Sequence, residues 1–257
     1  MHRIPGASIY DYWPGIARTR HHASDHPCVV EVGVHHGDDS AKLTCASPTG
    51  SLDWIGLEPD PRNVAILKER GIAVIDKAAS DADGESEFWL SSGWSPGGEG
   101  TRWHTDSSSL NTPTSHLEAF PWCRFDEKVT VRTTRLDSEL PDRIVDLLWV
   151  DVQGAQRKVL AGAPATLRRT RYLYIECHPT PMYEGEPTFE ELCGLLPGFA
   201  VVKRWHADVL FRNTSLTPRW RRQLGWVVAL DLAVSIARPV VAVIRRLRRG
   251  AVNAAHG

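Results

Sequence analysis

The sequence predicts an α/β fold, a mostly parallel sheet with helices on both faces and an antiparallel hairpin at one edge, and three observations predict it. Apolar runs alternate with helix-spaced segments along most of the chain, as in successive βαβ units. The first run, in Cys28-Val-Val-Glu-Val-Gly-Val-His-His-Gly37, ends in two glycines four residues apart. The second, in Ile55-Gly-Leu-Glu-Pro-Asp60, ends on a carboxylate. Glycines at the first strand-to-helix turn let backbone approach a ligand, and an acidic side chain at the tip of the next strand accepts hydrogen bonds from ribose hydroxyls. A nucleotide-like cofactor is therefore expected at the carboxyl edge of a Rossmann-like sheet.

Each element has its own reason. Val29–Val34 and Leu52–Leu57 are apolar runs of strand length, and Ser40–Ala46 between them has helical spacing. Arg62–Arg70 is predicted helical: Asp60 before Pro61 is an N-cap and first-turn signal, and Gly71 is a stop. Ala73–Ile75 and Glu87–Leu90 are predicted strands. The segment Ser91–Lys128, rich in Gly, Ser, Thr and Pro, has weak periodicity and reads as a long loop of the lid or ligand-binding kind. Strands return at Val129–Leu136 and at Ile144–Val150, the most apolar run, which leads directly into Asp151. Gln156–Leu167 places Val159, Leu160, Ala163 and Leu167 on one helical face. Tyr172–Ile175 is a strand ending in Glu176-Cys-His178, Phe189–Leu196 a helix, and Phe199–Val202 with Val209–Phe211 the edge hairpin.

With 257 residues, 42% of them apolar and 24% charged, the chain can bury a full core in one domain. Residues 1–27 form an N-terminal segment, 28–213 the main domain and 214–257 a tail. Five scattered cysteines without C-x-x-C spacing indicate neither a disulfide framework nor a zinc knuckle, which fits a cytoplasmic location, and the N-terminus lacks the apolar core of a signal peptide. From Val201 onward eleven Lys and Arg face two Asp in a chain whose formal net charge is −1, so the body is acidic and the tail basic. An acidic body disfavours nucleic-acid partners. From Leu224 to Ile244 the tail is apolar except for a stripe of Asp231, Ser235, Arg238 and Arg245, with Trp220, Trp226 and arginines at its flanks. That pattern fits an interfacial helix on a membrane surface, or one that packs on the body or in a homodimer. It does not fit a spanning helix, because Asp231 and Arg238 would lie in the bilayer and Pro239 would interrupt the backbone.

The ordered motifs resemble the FkbM-type S-adenosylmethionine-dependent methyltransferases, over about Cys28 to His178. The matching pieces are the Val29–Gly37 loop, Leu57-Glu-Pro-Asp-Pro61, Ala78-Ala-Ser-Asp-Ala-Asp-Gly84 before Phe88, Ser107-Ser-Ser-Leu110, and Thr134-Arg-Leu-Asp137. The most specific is Val145-Asp-Leu-Leu-Trp-Val-Asp-Val-Gln-Gly-Ala155 running to Val159-Leu-Ala-Gly162. The chain departs from the family pattern at Trp149, usually Lys, at Gln153 and Gln156, usually Glu, and at Val34-His35, usually Ala-Asn. The resemblance implies a class I methyltransferase fold, S-adenosyl-L-methionine as cofactor, and methylation of a hydroxyl on a sugar, glycolipid or polyketide-like small molecule.

It also implies roles for residues. Glu31 would engage the methionine part of the cofactor, Gly33 and Gly37 would clear space for it, Glu58 would take the ribose, and Ala79, Ser80 and Asp81 would read the adenine. Gly33 and Gly37 also suit plain turns, and Asp81 a plain turn residue. Asp151, at the end of the most apolar strand, is the candidate base for the hydroxyl proton, with a helix cap as its other reading. Glu176 and His178 end the next strand on one side of it and form a base with its orienting partner, or a structural pair. A metal site with Asp151 is disfavoured, since a divalent cation wants more carboxylates. His104 and His116 lie in the long loop as acceptor contacts, and Trp94, Trp103, Phe120 and Trp122 there suit stacking on a sugar ring. Two other classes stay open: a nicotinamide-dependent oxidoreductase, which lacks a use for the Asp151 motif, and a catalytically inactive binding module of methyltransferase fold.

Overall fold

The computed structural model describes residues 8–18, 26–96 and 102–233. A six-stranded sheet has the order β10-β11-β9-β8-β1-β2. Its strands are β1 (Cys28–Val32), β2 (Asp53–Leu57), β8 (Val145–Val150), β9 (Thr170–Glu176), β10 (Phe199–Arg204) and β11 (Asp208–Asn213). β2, β1, β8 and β9 are mutually parallel. β11 runs antiparallel to both β9 and β10, so the edge hairpin forms where the sequence places it. Parallel strands covered on both faces are apolar nearly throughout, which is why β1 and β8 stand out in the sequence.

Side-chain alternation divides the core. Val30, Val32, Leu148 and Val150 face one cluster with Leu136, Val159, Leu160 and Leu192. Val29, Leu147 and Trp149 face the other, with Tyr12, Trp13 and Ile16 of α1 (Ile9–Arg18) and Leu43 of α2 (Asp38–Ala46). α3 (Pro61–Glu69) starts as expected: Asp60 is its N-cap, Pro61 lies in its first turn, and Gly71 follows it at φ 72°.

Three expectations need correction. Ala73–Ile75 is not a strand; only Ile75 makes a single parallel bridge, to Leu57. Glu87–Leu90 is a strand as expected, within β4 (Gly84–Ser92), which pairs antiparallel with β7 (Arg124–Thr134) in a second sheet with β3 (Ala78–Ala79). The long segment Ser91–Lys128 is not a featureless loop. It holds β5 (Trp94–Ser95), β6 (Arg102–Trp103), α4 (His116–Ala119) and the start of β7. Finally, Gln156–Leu167 is two helices, α6 (Gln156–Ala161) and α7 (Pro164–Arg169), with α5 (Leu136–Glu139) before them and α8 (Phe189–Leu195) after. Pro164 cannot donate to the preceding turn, so a helix ends before it and another starts on it.

In the tail, residues 220–233 form helix α9. The stripe Asp231, Ser235, Arg238 and Arg245 does not face solvent at its first member: Asp231 is buried, accepts from Tyr12 Oη at 2.7 Å and pairs with Lys203 Nζ at 2.6 Å. Leu224 and Val227 join the α1 cluster, whereas Trp226, Leu230 and Leu232 are exposed. Ser235, Arg238 and Arg245 lie outside the described residues. Among the described residues no helix is long and apolar enough to cross a membrane.

Candidate active site

The carboxyl ends of β1, β2 and β8 meet. Gly33 N donates to Leu57 O and Asp151 N to Val32 O, each at 2.9 Å. Gly33 has φ 89°, and a Cβ there would stand 1.8 Å from Asp151 O, so only glycine allows this approach. The three ends border a cleft of about 210 Å³ that opens to solvent. Gly33, Glu58, Ala79 and Asp151 line it. So do residues that the sequence reading passed over for this role, including Asp39, Asn63, Lys77 and Phe88.

Glu58 is buried. Its Oε2 accepts from His35 N at 2.7 Å, and its Oε1 from Asp60 N at 2.9 Å. Burial pushes its carboxyl up to about 7, against the lowering effect of those amides. Beside it, His35 at φ 53° sends its ring to Thr105 Oγ1 at 3.0 Å, and Thr105 donates to Asn63 Oδ1 at 2.9 Å. Ala78, Ala79, Phe88 and Leu110 give the cleft an apolar wall next to this acidic end.

Other expected cofactor residues lie elsewhere. Glu31 alternates to the α1 face, where its Oε2 accepts from Trp54 Nε1 at 2.9 Å, and burial raises its carboxyl to about 8. Gly37, at φ 81°, packs against Ile72 and Leu67, so it serves the turn into α2. Ser80 N donates to Thr134 O at 2.8 Å, Asp81 is exposed, and neither borders the cleft. Trp149, the lysine position of the family pattern, is buried between Tyr10 and Tyr174 on the α1 face.

Asp151, Glu176 and His178 do come together. Gln153 Nε2 donates to Asp151 Oδ1 at 2.7 Å and to both Glu176 oxygens at 3.1 Å. Burial and the charge of Glu176 hold the Asp151 carboxyl well above the usual range. His178 bridges Glu176 at 3.2 Å and Glu186 at 2.7 Å. Burial alone would lower it, but the two carboxylates raise it to about 10. His178 is therefore a cation at neutral pH and neutralises Glu176; it has no free lone pair with which to take a proton. Glu176 and His178 sit behind Asp151, away from the cleft.

The loop histidines serve each other. His104 and His116 point their Nε2 atoms at Ser107 Oγ, at 2.7 and 3.0 Å, and burial among aromatic rings lowers His116 to about 4. The segment 105–111 itself closes one side of the cleft. Ser108 Oγ donates to Asp60 Oδ2 at 2.9 Å, Ser109 Oγ to Gln153 O at 2.6 Å, and Asn111 Nδ2 to Gly154 O at 2.8 Å. The Ser107–Leu110 motif was visible in the sequence; its partners, some forty residues distant, were not. Among the described residues no cluster of three or more His, Cys, Asp or Glu is arranged to hold a metal ion.

The family model described as the methyltransferase FkbM domain matches residues 31–204. The chain is 35% identical over 202 residues to the 2-O-methyltransferase NoeI of Sinorhizobium fredii (strain NBRC 101917 / NGR234), covering 74% of this chain and 81% of that one. Among solved structures, the methyltransferase FkbM of Methylobacillus flagellatus KT aligns over 74% of this chain and 44% of its own length, with 16% identity and a TM-score of 0.46. A precorrin-6y C5,15-methyltransferase of Geobacter metallireducens GS-15 aligns over 79% and 85%, with 12% identity and a TM-score of 0.35. On the match over residues 31–204 and the relative at 35% identity, the chain belongs to the FkbM methyltransferase family.

Proposed function

We propose that this methyltransferase uses S-adenosyl-L-methionine and methylates a hydroxyl oxygen of a small molecule, with a sugar ring as the acceptor class. The observation that carries the reading is the convergence of Gly33, Glu58 and Asp151 on one cleft. The residues fit the cofactor. Glu58 would accept from the ribose hydroxyls, Gly33 leaves the space that a Cβ would fill, the apolar wall of Ala79, Phe88 and Leu110 suits adenine, and Asp39 complements a cationic sulfur. S-adenosylmethionine supplies an activated methyl group on a sulfonium. Asp151 would take the acceptor's proton: it opens to the cleft, and its raised proton affinity makes it the stronger base once ionised. Glu176, paired with His178, lies behind it and raises its proton affinity.

The relative's name specifies transfer to oxygen, and that chemistry suits a carboxylate base. Two features favour a sugar. Trp94 and Trp103 are 55% and 46% exposed, edge-to-face at 5.4 Å. Trp103 is two residues before Thr105, which lines the cleft. Aromatic faces stack on sugar rings, and polar neighbours orient hydroxyls. We also propose that α9 rests on an anionic membrane surface. Its outward Trp226, Leu230 and Leu232 are exposed beside Arg219, Arg221 and Arg222, and further arginines follow in the sequence.

Calorimetric titration with S-adenosylmethionine and, separately, NADH tests the cofactor; product release is then followed with methyl pyranosides. Micromolar binding of the first ligand alone, with turnover on a pyranoside, is expected. No binding of S-adenosylmethionine by folded, ligand-free protein refutes the cofactor, and binding without turnover on any hydroxyl acceptor points to an inactive binding module.

A further inference from the structure

Methyl transfer as described above leaves Gln153, which lines the cleft beside Asp151, without a role. Gln153 has φ 51°, in the left-handed region where long side chains are rare. The surroundings hold it there: Ser109 Oγ bonds its carbonyl at 2.6 Å, and the following Gly154, at φ 91°, lies so close to Tyr183 that a Cβ would stand 2.4 Å from that residue's own Cβ. The backbone turn aims the Gln153 amide between two carboxylates. One nitrogen reaches Asp151 Oδ1 at 2.7 Å and both oxygens of Glu176 at 3.1 Å. An amide oxygen in that place would face three acceptors, so chemistry fixes the orientation.

We propose that Gln153 is a positioning residue for methyl transfer: by donating to Asp151 and Glu176 together, it holds two carboxylates in one enclosed site and favours the ionised form of Asp151 towards the cleft. This rests on the reading of Asp151 as the base. Two carboxylates that share so small a space without a donor between them retain one proton in common, and a base that keeps its proton is idle. The charged groups around Asp151 are unfavourable to its charge: Glu176 from β9, Asp208 from β11 and Asp39 from α2. His178, the nearby cation, is committed to Glu176 and Glu186. That leaves the Gln153 amide as the group that lowers Asp151 from its immediate surroundings. A glutamate in its place would add a third carboxylate and remove the donor, so the Gln at this position sets the ionisation of its neighbours.

The test reads Asp151 directly. Full-chain protein labelled with 13C at the aspartate Cγ atoms is titrated by NMR, and the Asp151 resonance is identified by its loss in Asp151→Asn. The titration midpoint should rise by about one pH unit in Gln153→Met, which keeps the shape and removes the donor. It should rise further in Gln153→Glu. Gln153→Asn, whose side chain tolerates left-handed backbone best but is one methylene short, should behave as Met does and serves if the longer variants fail to fold. An unmoved midpoint in folded Gln153→Met or Gln153→Asn overturns the proposal. Turnover of Asp151→Asn separates the two ideas. Wild-type turnover there sinks the base reading while leaving the carboxylate positioning intact, whereas an inactive Asp151→Asn with unmoved midpoints sinks the Gln153 proposal alone.

Discussion

At Glu58, burial and hydrogen bonding act in opposite directions. Burial favours the neutral acid, while the amides of His35 and Asp60 favour the anion, and the balance leaves it at about 7. A ribose diol donates best to the anion, so affinity for S-adenosylmethionine should weaken as pH falls through about 7. Glu58→Gln should flatten that dependence and cost at least about tenfold in affinity by calorimetry. Stability runs the other way. The folded pKa is raised above the unfolded value, so the folded protein binds the extra proton between the two; this contribution is complete below about 4.5 and is lost as pH rises through about 7. Unliganded protein should lose up to about 3 kcal/mol from this group between those limits, and Glu58→Gln should remove that slope from a denaturation series. Asp151→Asn should divide binding from chemistry. Cofactor affinity should stay within about threefold of wild type while turnover falls by about a hundredfold or more. Equal loss of binding in the Glu58 and Asp151 variants would show that the two residues do not have separate roles.

The N-terminus of α3 couples the fold to the cleft. Asp60, fully buried, accepts from Arg62 N at 3.0 Å as the cap, binds the Arg62 guanidinium at 2.6 Å, and accepts from Ser108 Oγ at 2.9 Å. Asp60→Ala should cost about 1–3 kcal/mol, the sum of a lost cap and unpaired partners. It should also speed amide exchange over residues 105–109 and raise the dissociation constant of S-adenosylmethionine; unchanged exchange there would mean that the segment is held by its other bonds. This coupling marks where sequence reading stops. β1, β8 and β9 are legible because both of their faces are buried, and Gly33 and Asp151 are legible because they sit at the tips of such strands, whereas Glu58 ends the half-buried β2 and is legible as the carboxylate that closes an apolar run. β4 alternates exposed and buried residues, so it reads as a strand, but nothing in its period tells parallel from antiparallel. The apolar spacing of Leu160, Ala163 and Leu167 continues across Pro164 and hides the break between α6 and α7. The bonds that order residues 105–111 reach partners far along the chain, and the bridge made by Gln153 depends on a backbone angle that no local pattern encodes.

Across the whole molecule, the face of the sheet opposite α6 and α8 is covered by α1, α2 and α9. α1 and α9 pack there together: Gly15 lies so close to Gln223 that a Cβ would stand 2.7 Å from its carbonyl oxygen, and Tyr172 Oη donates to the Gln223 side chain at 2.7 Å. Asp231 joins the Tyr12 hydroxyl and Lys203, so α9 is tied to α1 and to β10 by one buried carboxylate. The tail thus has two parts with different consequences. Removal of residues 214–257 uncovers Tyr12, Trp13 and Leu147 and leaves Lys203 and the Tyr12 hydroxyl without Asp231, so the protein should lose its cooperative melting transition or melt at least about 10 °C lower. Removal of residues 234–257 alone leaves those contacts in place and should change the melting temperature by less than about 2 °C. The same short truncation deletes five arginines, Arg238, Arg245, Arg246, Arg248 and Arg249, while Trp226, Leu230 and Leu232 remain. Sedimentation with vesicles rich in phosphatidylglycerol should therefore capture the full chain, capture the short truncation about tenfold more weakly or worse, and capture neither when the vesicles are pure phosphatidylcholine. Equal capture of full chain and short truncation would place the attraction in α9 itself. No capture of the full chain by either vesicle would leave the exposed face of α9 without a membrane partner.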